Sequence, residues 1–224
     1  MNDSILWKIE DNIGHLILND LPSNKMSINF FNHLKYLVTA EIPHSSIKAL
    51  VIYGNGRHFS SGADINDLLS IINRETKLKK NGEIKKYSQF LLKNNKSFLF
   101  FENLNIPVIA AVRGVCLGSA LELVLFCHIR LAADNSLFGL PETSFNLMPG
   151  LGGAQKIFKY AGTSKALELT LKGSNFSADE ALEWNIIDKI IPKNEIIEKA
   201  LTLAKSIPEN YIKEKAKLYI EKYL

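Results

Sequence analysis

The sequence has little sulfur: two cysteines, Cys116 and Cys127, among 224 residues. They form no CxxC pair and no Cys/His ligand spacing, so neither a zinc site nor a dithiol redox centre is indicated. Both stand among apolar residues and read as reduced core thiols of a cytosolic protein. Long hydrophobic runs are missing too. The longest, such as "IPVIAAV" (106–112), fall far short of the ~20 residues of a transmembrane helix. The opening "MNDSILWKIEDN" carries acids early and lacks a basic stretch ahead of an apolar one, so it does not read as a signal peptide. Internal repeats and low-complexity linkers are lacking. Neither sign of charge dominates: 27 Lys and Arg against 23 Asp and Glu give +4 and a pI near 8.9, which does not by itself point to nucleic acid. What is present, 46% hydrophobic and 22% charged residues, is the balance of a soluble globular chain with a substantial core. A cytoplasmic location is expected.

Residues 5–10 and 13–19 flank a break at Asp11-Asn12 and predict a β-hairpin. "LPSNKMS" (21–27) is a loop. Ser27 is placed to cap a helix running to about Thr39, with Phe30, Phe31, Leu34, Leu37 and Val38 on its apolar side. Residues 47–54 and 106–114 predict short buried strands, each followed by a glycine turn. Residues 75–105 form a lysine-rich amphipathic stretch. "IRLAADNSLFGLPE" (129–142) supplies two short strands, and "PGLGGAQKIFKYAG" (149–162) a glycine-rich turn and helix. Two short helices at 163–173 and 177–185, a strand in "IIDKIIP" (186–192) and two closing helices complete the chain. Buried strands alternating with helices predict an α/β fold with partly parallel sheets.

Three strand ends attract attention, because ligand sites of α/β proteins gather at the carboxyl ends of strands. They are "FSSGADI" (59–65), "RGVCLGSALEL" (113–123) and "FGLPETSFNLMPGLGG" (138–153). In the first, Gly62 permits close approach and leaves the Ala63 N–H free to meet a ligand. In the second, Gly118 and Ser119 open a helix whose first N–H groups have no intrahelical partner. Two such donors converging on one oxygen make an oxyanion hole. Glu122 lies one helical turn past Ser119, inside the apolar run "ALELVLF". A carboxylate buried there must be paired, hydrogen-bonded or protonated. The competing reading is a glutamate on a solvated helix face. Glu142 follows Pro141, and a Pro-Glu pair in a loop is more often surface than catalytic.

The segments "LNDLPSNKMS", "FSSGADI", "IPVIAAVRGVCLGSALEL", "FGLPETSFNLMPGLGGAQKI" and "ALEWNIIDKIIP" together resemble the crotonase superfamily, the enoyl-CoA hydratases and isomerases, from about residue 5 to residue 192. The resemblance implies a crotonase spiral of repeated β-β-α units over residues 1–192, followed by a shortened C-terminal helical tail over 193–224. It implies an acyl thioester substrate, carried on CoA or a carrier protein. The thioester oxygen would be held by the backbone N–H groups of Ala63 and Ser119. Glu122 would deprotonate a water that attacks Cβ, Glu142 would protonate Cα, and the Gly150 N–H would help hold the water. Ser61, Gly62, Asp64, Ile65 and Gly118 would contact substrate or CoA. Lys25 would meet CoA phosphates, an exposed loop lysine being the alternative. No metal or separate cofactor is implied. A homotrimer or hexamer is, weakened by the short C-terminus.

The sequence departs from the family pattern at several positions. Ser119 stands where glycine is usual, although its proposed role is a backbone one. Asn146 replaces a frequent glycine in the Pro-Glu loop and tolerates a left-handed backbone better than most residues. His128 replaces a frequent aspartate and reads as structural. Three other functions are weighed. A thioester isomerase or decarboxylase would use the same oxyanion hole. An RNA-binding homologue would use the lysines of segment 74–96 (Lys77, Lys79, Lys80, Lys85, Lys86, Lys93 and Lys96), which the ordinary reading makes a solvated face. A serine hydrolase would need Ser119 beside a histidine and an acid.

Overall fold

A computed structural model describes residues 4–80, 88–208, 210–211 and 216–224; the side chains of Lys79 and Lys217 are not described. A six-stranded sheet runs in the order β1 (Ile5–Glu10), β2 (Ile13–Leu18), β3 (Ala49–Gly54), β4 (Val108–Val112), β6 (Ile129–Ala133) and β9 (Lys189–Ile191). The first pair is the antiparallel hairpin expected from the break at Asp11-Asn12, both of which adopt positive φ. Every other neighbour pair is parallel. A three-stranded sheet joins β5 (Val115–Leu117), β7 (Leu137–Gly139) and β8 (Asn175–Ser177).

The chain passes repeatedly from one sheet to the other. β4 lies in the large sheet, β5 in the small one, and the helix α4 (Ser119–Leu125) follows. β6 and β7 repeat the step and lead through a short 3₁₀ turn, Pro141–Phe145, into α5 (Gly153–Lys172). These two β-β-α units stack the carboxyl ends of β3, β4 and β6 along one edge. The remaining helices are α1 (Ile28–Tyr36), α2 (Ile65–Lys80), α3 (Gln89–Asn103), α6 (Ala178–Glu183), α7 (Ile196–Ser206) and α8 (Ala216–Tyr223).

Alternation along the parallel strands builds two cores, because successive side chains point to opposite faces. Leu50, Ile52, Val108, Ala110 and Val112 face the helices α1, α3 and α4. Ala49, Val51, Ile109, Ala111, Ile129 and Leu131 face the other way and are covered by Ile196, Ala200, Leu203 and Ala204 of α7. A parallel sheet covered on both faces explains strands that read as continuous apolar runs. Across β6, buried Arg130 is paired with Asp188 through Nη2 to Oδ1 (2.8 Å) and Nε to Oδ2 (3.2 Å).

The observed elements correct several expectations. The strand expected over 106–114 ends at Val112, because the chain turns at Arg113-Gly114 into the second sheet. The helix after Ser27 is regular only to Tyr36 and then widens into a π-turn over Leu37–Glu41. The helices expected on either side of Gly162 are both present: residues 153–161 and 163–172 are two helical segments of α5 separated by the non-helical Gly162 (φ 81°, ψ 172°). β8 was not expected at all; its three residues are too few to carry a periodic signal. Lys85 and Lys86, with residues 81–87, lie outside the described residues. Lys77, Lys80, Lys93 and Lys96 are exposed. Cys116 and Cys127 are buried free thiols, and burial pushes both up, Cys127 to about 12. Among the described residues no helix is long and apolar enough to cross a membrane.

Candidate active site

The three strand ends singled out in the sequence meet at one cavity of about 400 Å³. Two short parallel bridges fasten the first. The Met26 N–H donates to Gly62 O (2.9 Å) and the Asp64 N–H to Met26 O (3.2 Å), so the Ala63 N–H between them faces the other way. It has no hydrogen-bond partner among the described residues. The Ser60 N–H donates to Val115 O (3.0 Å) and the Leu117 N–H to Ser60 O (3.1 Å), which ties this turn to β5. Gly62 adopts φ +88° and passes so close to β5 that a methyl on it would lie 2.5 Å from Leu117 O. That approach sets Ala63 beside the start of α4, where the Ser119 N–H, at the first helical position, has no partner among the described residues either.

Every residue of α4 is buried. Glu122 is 2% exposed, which removes the solvated-face reading. Its Oε1 accepts the N–H groups of Leu151 (2.8 Å) and Gly153 (2.9 Å) at the N-terminus of α5. Gly153 fits only as glycine, since a methyl on it would lie 2.6 Å from Glu122 Cγ. Glu142 approaches from the 3₁₀ turn after β7, and a methyl on Gly118 would lie 3.0 Å from its Oε1. Its Oε2 is buried without a hydrogen-bond partner. The turn ends at Asn146 in the left-handed conformation (φ 56°, ψ 33°), so asparagine here adopts the backbone that glycine would favour.

Burial pushes Glu122 up to about 7, the charge of Glu142 pushes it the same way, and the amides of residues 151–153 pull it back. Burial also pushes Glu142 up to about 7. Three amide donors at residues 151–153 favour the ionised form of Glu122, whereas Glu142 has only its own backbone N–H against burial and no partner at Oε2, which favours its protonated form.

Ser61, Gly62, Ala63, Ile65, Gly118, Ser119, Glu122, Glu142 and Gly150 all line this cavity. Lys25 and Asp64 do not; they pair with each other (2.6 Å), and Asp64 Oδ1 accepts the N–H groups of Asn66 and Asp67 at the start of α2. The Ser119 hydroxyl donates to Met26 Sδ (3.4 Å) and hydrogen-bonds no histidine among the described residues, so no Ser-His-acid triad forms. His128 is structural: Nδ1 accepts the Val108 N–H (3.3 Å), Nε2 reaches Glu102 O (3.0 Å), and the ring stacks on Tyr211. Sequence reasoning missed the Leu151 and Gly153 amides, although "PGLGG" before a helix is a signal for exposed donors. It also missed the far wall, formed by Leu68, Ile71 and Ile72 of α2 with Phe90 and Leu91 of α3.

The sequence pattern of the family described as enoyl-CoA hydratase/isomerase matches residues 8–219. The chain is 33% identical over 209 residues to a probable enoyl-CoA hydratase of Bacillus subtilis, covering 92% of this chain and 77% of that one. It is 30% identical over 212 residues to the short-chain-enoyl-CoA hydratase of Clostridium acetobutylicum, with coverage of 94% and 77%. Among solved structures, an enoyl-CoA hydratase from Bacillus anthracis superposes with a TM-score of 0.80 at 26% identity, over 97% of this chain and 81% of that one. With a pattern that spans nearly its whole length and relatives of this identity, the chain belongs to the enoyl-CoA hydratase/isomerase family and is a hydratase-like enzyme.

Proposed function

We propose that this enzyme adds water across the 2,3 double bond of a 2-enoyl-CoA thioester, or removes it in reverse. The observation that carries the reading is the pair of glutamates, Glu122 buried and Glu142 half-buried, both held near 7 and facing the cavity that Ala63 and Ser119 also line. The thioester oxygen accepts the two open N–H groups, and charge developing there draws electrons from the double bond and makes Cβ electrophilic. Glu122, kept ionised by its amide donors, takes a proton from water as the water oxygen bonds to Cβ. Glu142, whose protonated form burial favours, gives a proton to Cα. The Gly150 N–H lines the same cavity without a hydrogen-bond partner among the described residues and is available to the water. General acids and bases work best with pKa values near the operating pH, which is where burial puts both carboxyls.

The Lys25–Asp64 pair lies at the loop that precedes Ile65 in the cavity wall, and exchange of Asp64 for a phosphate oxygen is the role we assign to Lys25. A homo-oligomer is also part of this reading. Leu167 and Leu171, one helical turn apart after Gly162, are 55% and 62% exposed, apolar side chains suited to contact with a second copy.

The test is loss of the enoyl thioester absorbance when purified protein meets crotonyl-CoA. Loss that depends on Glu122 and Glu142 supports the reading. Conversion to a shifted double bond, or no reaction with any enoyl-CoA, refutes it.

A further inference from the structure

The loop that holds the Glu122 carboxylate is itself held from outside the site. Residues 147–152 are neither helix nor strand, yet the Leu151 N–H (2.8 Å) and the Gly153 N–H (2.9 Å) must reach Glu122 Oε1. The Gly152 N–H faces the same carboxylate. The Leu151–Gly152 peptide is trans, so its carbonyl points away from its N–H. On that far side stands Asn95 of α3, whose Nδ2 donates to Leu151 O (2.7 Å). A carbonyl oxygen only accepts, so the Asn95 atom that meets it is the amide nitrogen.

Gly152 adopts φ +107°, and a methyl on it would lie 3.0 Å from Asn95 Nδ2 and 2.9 Å from Phe126 Cζ. Glycine here lets α3 close up against the peptide. Turning that peptide over would aim the Leu151 carbonyl at the Glu122 carboxylate, and would set the Gly152 N–H against the Asn95 amide nitrogen. Both new contacts repel, so Asn95 and Glu122 select the same orientation from opposite sides. Asn95 is half-buried and does not line the first cavity. It lines a cleft open to solvent between α3 and the start of α5.

We propose that Asn95 is a positioning residue, which holds the Leu151 carbonyl so that the N–H groups of residues 151–153 stay turned toward Glu122. The inference rests on the proposed role of Glu122 as the base that activates water. Other charges around these groups stay in place. Glu142, from the 3₁₀ turn, is the charge that acts on Glu122. Glu75 of α2 lines the same cavity and accepts the Phe90 N–H (3.1 Å). Beside Asn95, Glu102 of α3 pairs with Lys156 of α5, and Lys93 and Lys96 are exposed.

The experiment titrates Glu122 directly, by ¹³C NMR of protein labelled at the glutamate side-chain carboxyl carbon. Glu142→Gln is present throughout, so that no second carboxyl titrates beside it, and Glu122→Gln identifies the resonance. Asn95→Leu removes the donor at similar size and is expected to raise the Glu122 midpoint by about one pH unit, as for loss of a hydrogen bond to the charged form. Asn95→Gln keeps a donor and is expected to restore most of the original midpoint. Asn95→Met replaces Asn95→Leu if the latter does not fold. An unmoved midpoint in a folded variant, an equal shift in Asn95→Gln, or loss of the fold in both apolar variants would make Asn95 a packing residue and overturn the inference. The titration needs no turnover and is separate from the hydratase reading. With Glu142 intact, the acid limb of kcat for crotonyl-CoA should move up with the midpoint. A shifted midpoint in a protein that hydrates no enoyl-CoA would uphold the role of Asn95 and remove the hydratase reading.

Discussion

Replacing Glu142 by glutamine removes the charge of a half-buried side chain while keeping its shape. Oε2 has no hydrogen-bond partner, so the amide that takes its place breaks no bond. In the folded protein, burial raises Glu142 from 4.5 to about 7. The fold therefore favours the protonated form. The contribution of this group to stability is complete below about pH 4.5 and is lost as pH rises through about 7. At 1.36 kcal/mol per pH unit, that interval corresponds to about 3 kcal/mol. Glu142→Gln does not titrate and escapes the loss. It also relieves Glu122 of a neighbouring charge, an effect of the same sign. Urea unfolding followed by tryptophan fluorescence should show wild type and variant about equally stable at pH 4.5, and the variant about 3 kcal/mol more stable at pH 8.5. Parallel stability curves across this range would refute the burial argument for Glu142.

Two other substitutions probe the frame of the site. Gly62→Ala places a methyl at φ +88° and 2.5 Å from Leu117 O, which must displace the neighbouring Ala63 N–H. The hydration rate should fall about 10²-fold, as for loss of one oxyanion donor, and an unchanged kcat/KM for crotonyl-CoA would remove Ala63 from the mechanism. Asp188→Ala strands the buried Arg130 guanidinium and should destabilise the fold by about 3–5 kcal/mol. Denaturant unfolding measures this, and a loss below about 1 kcal/mol would mean that solvent reaches Arg130 freely.

The sequence discloses the local signals and conceals the long-range ones. Ser27 as a cap, the hairpin at Asp11-Asn12 and the strands β3 and β4 are legible because cap, turn and apolar run are each written within a few residues. Asn146 at φ 56° is legible for the same reason. Burial of Glu122 follows from the apolar residues around it, but its hydrogen bonds do not, since Leu151 and Gly153 lie about thirty positions downstream. The three residues of β8 pair with β7 across more than thirty positions, and nothing local marks them. The break between the two helical segments of α5 is local as well: it falls at Gly162, a residue that ordinarily ends a helix. The cavity wall from α2 and α3 is a tertiary fact: the spacing of Ile65, Leu68, Ile71 and Ile72 announces an apolar face, not the chamber that it closes.

The central claim is that Glu122 and Glu142 together deliver the elements of water to one double bond. The most direct measurement is mass spectrometry of the product formed from crotonyl-CoA in deuterated, ¹⁸O-labelled water. The account predicts 3-hydroxybutyryl-CoA with one ¹⁸O at Cβ and one deuterium at Cα, and no such product from Glu122→Gln. A product with deuterium but no added oxygen, or labelled product formed at the wild-type rate by folded Glu122→Gln, would contradict it.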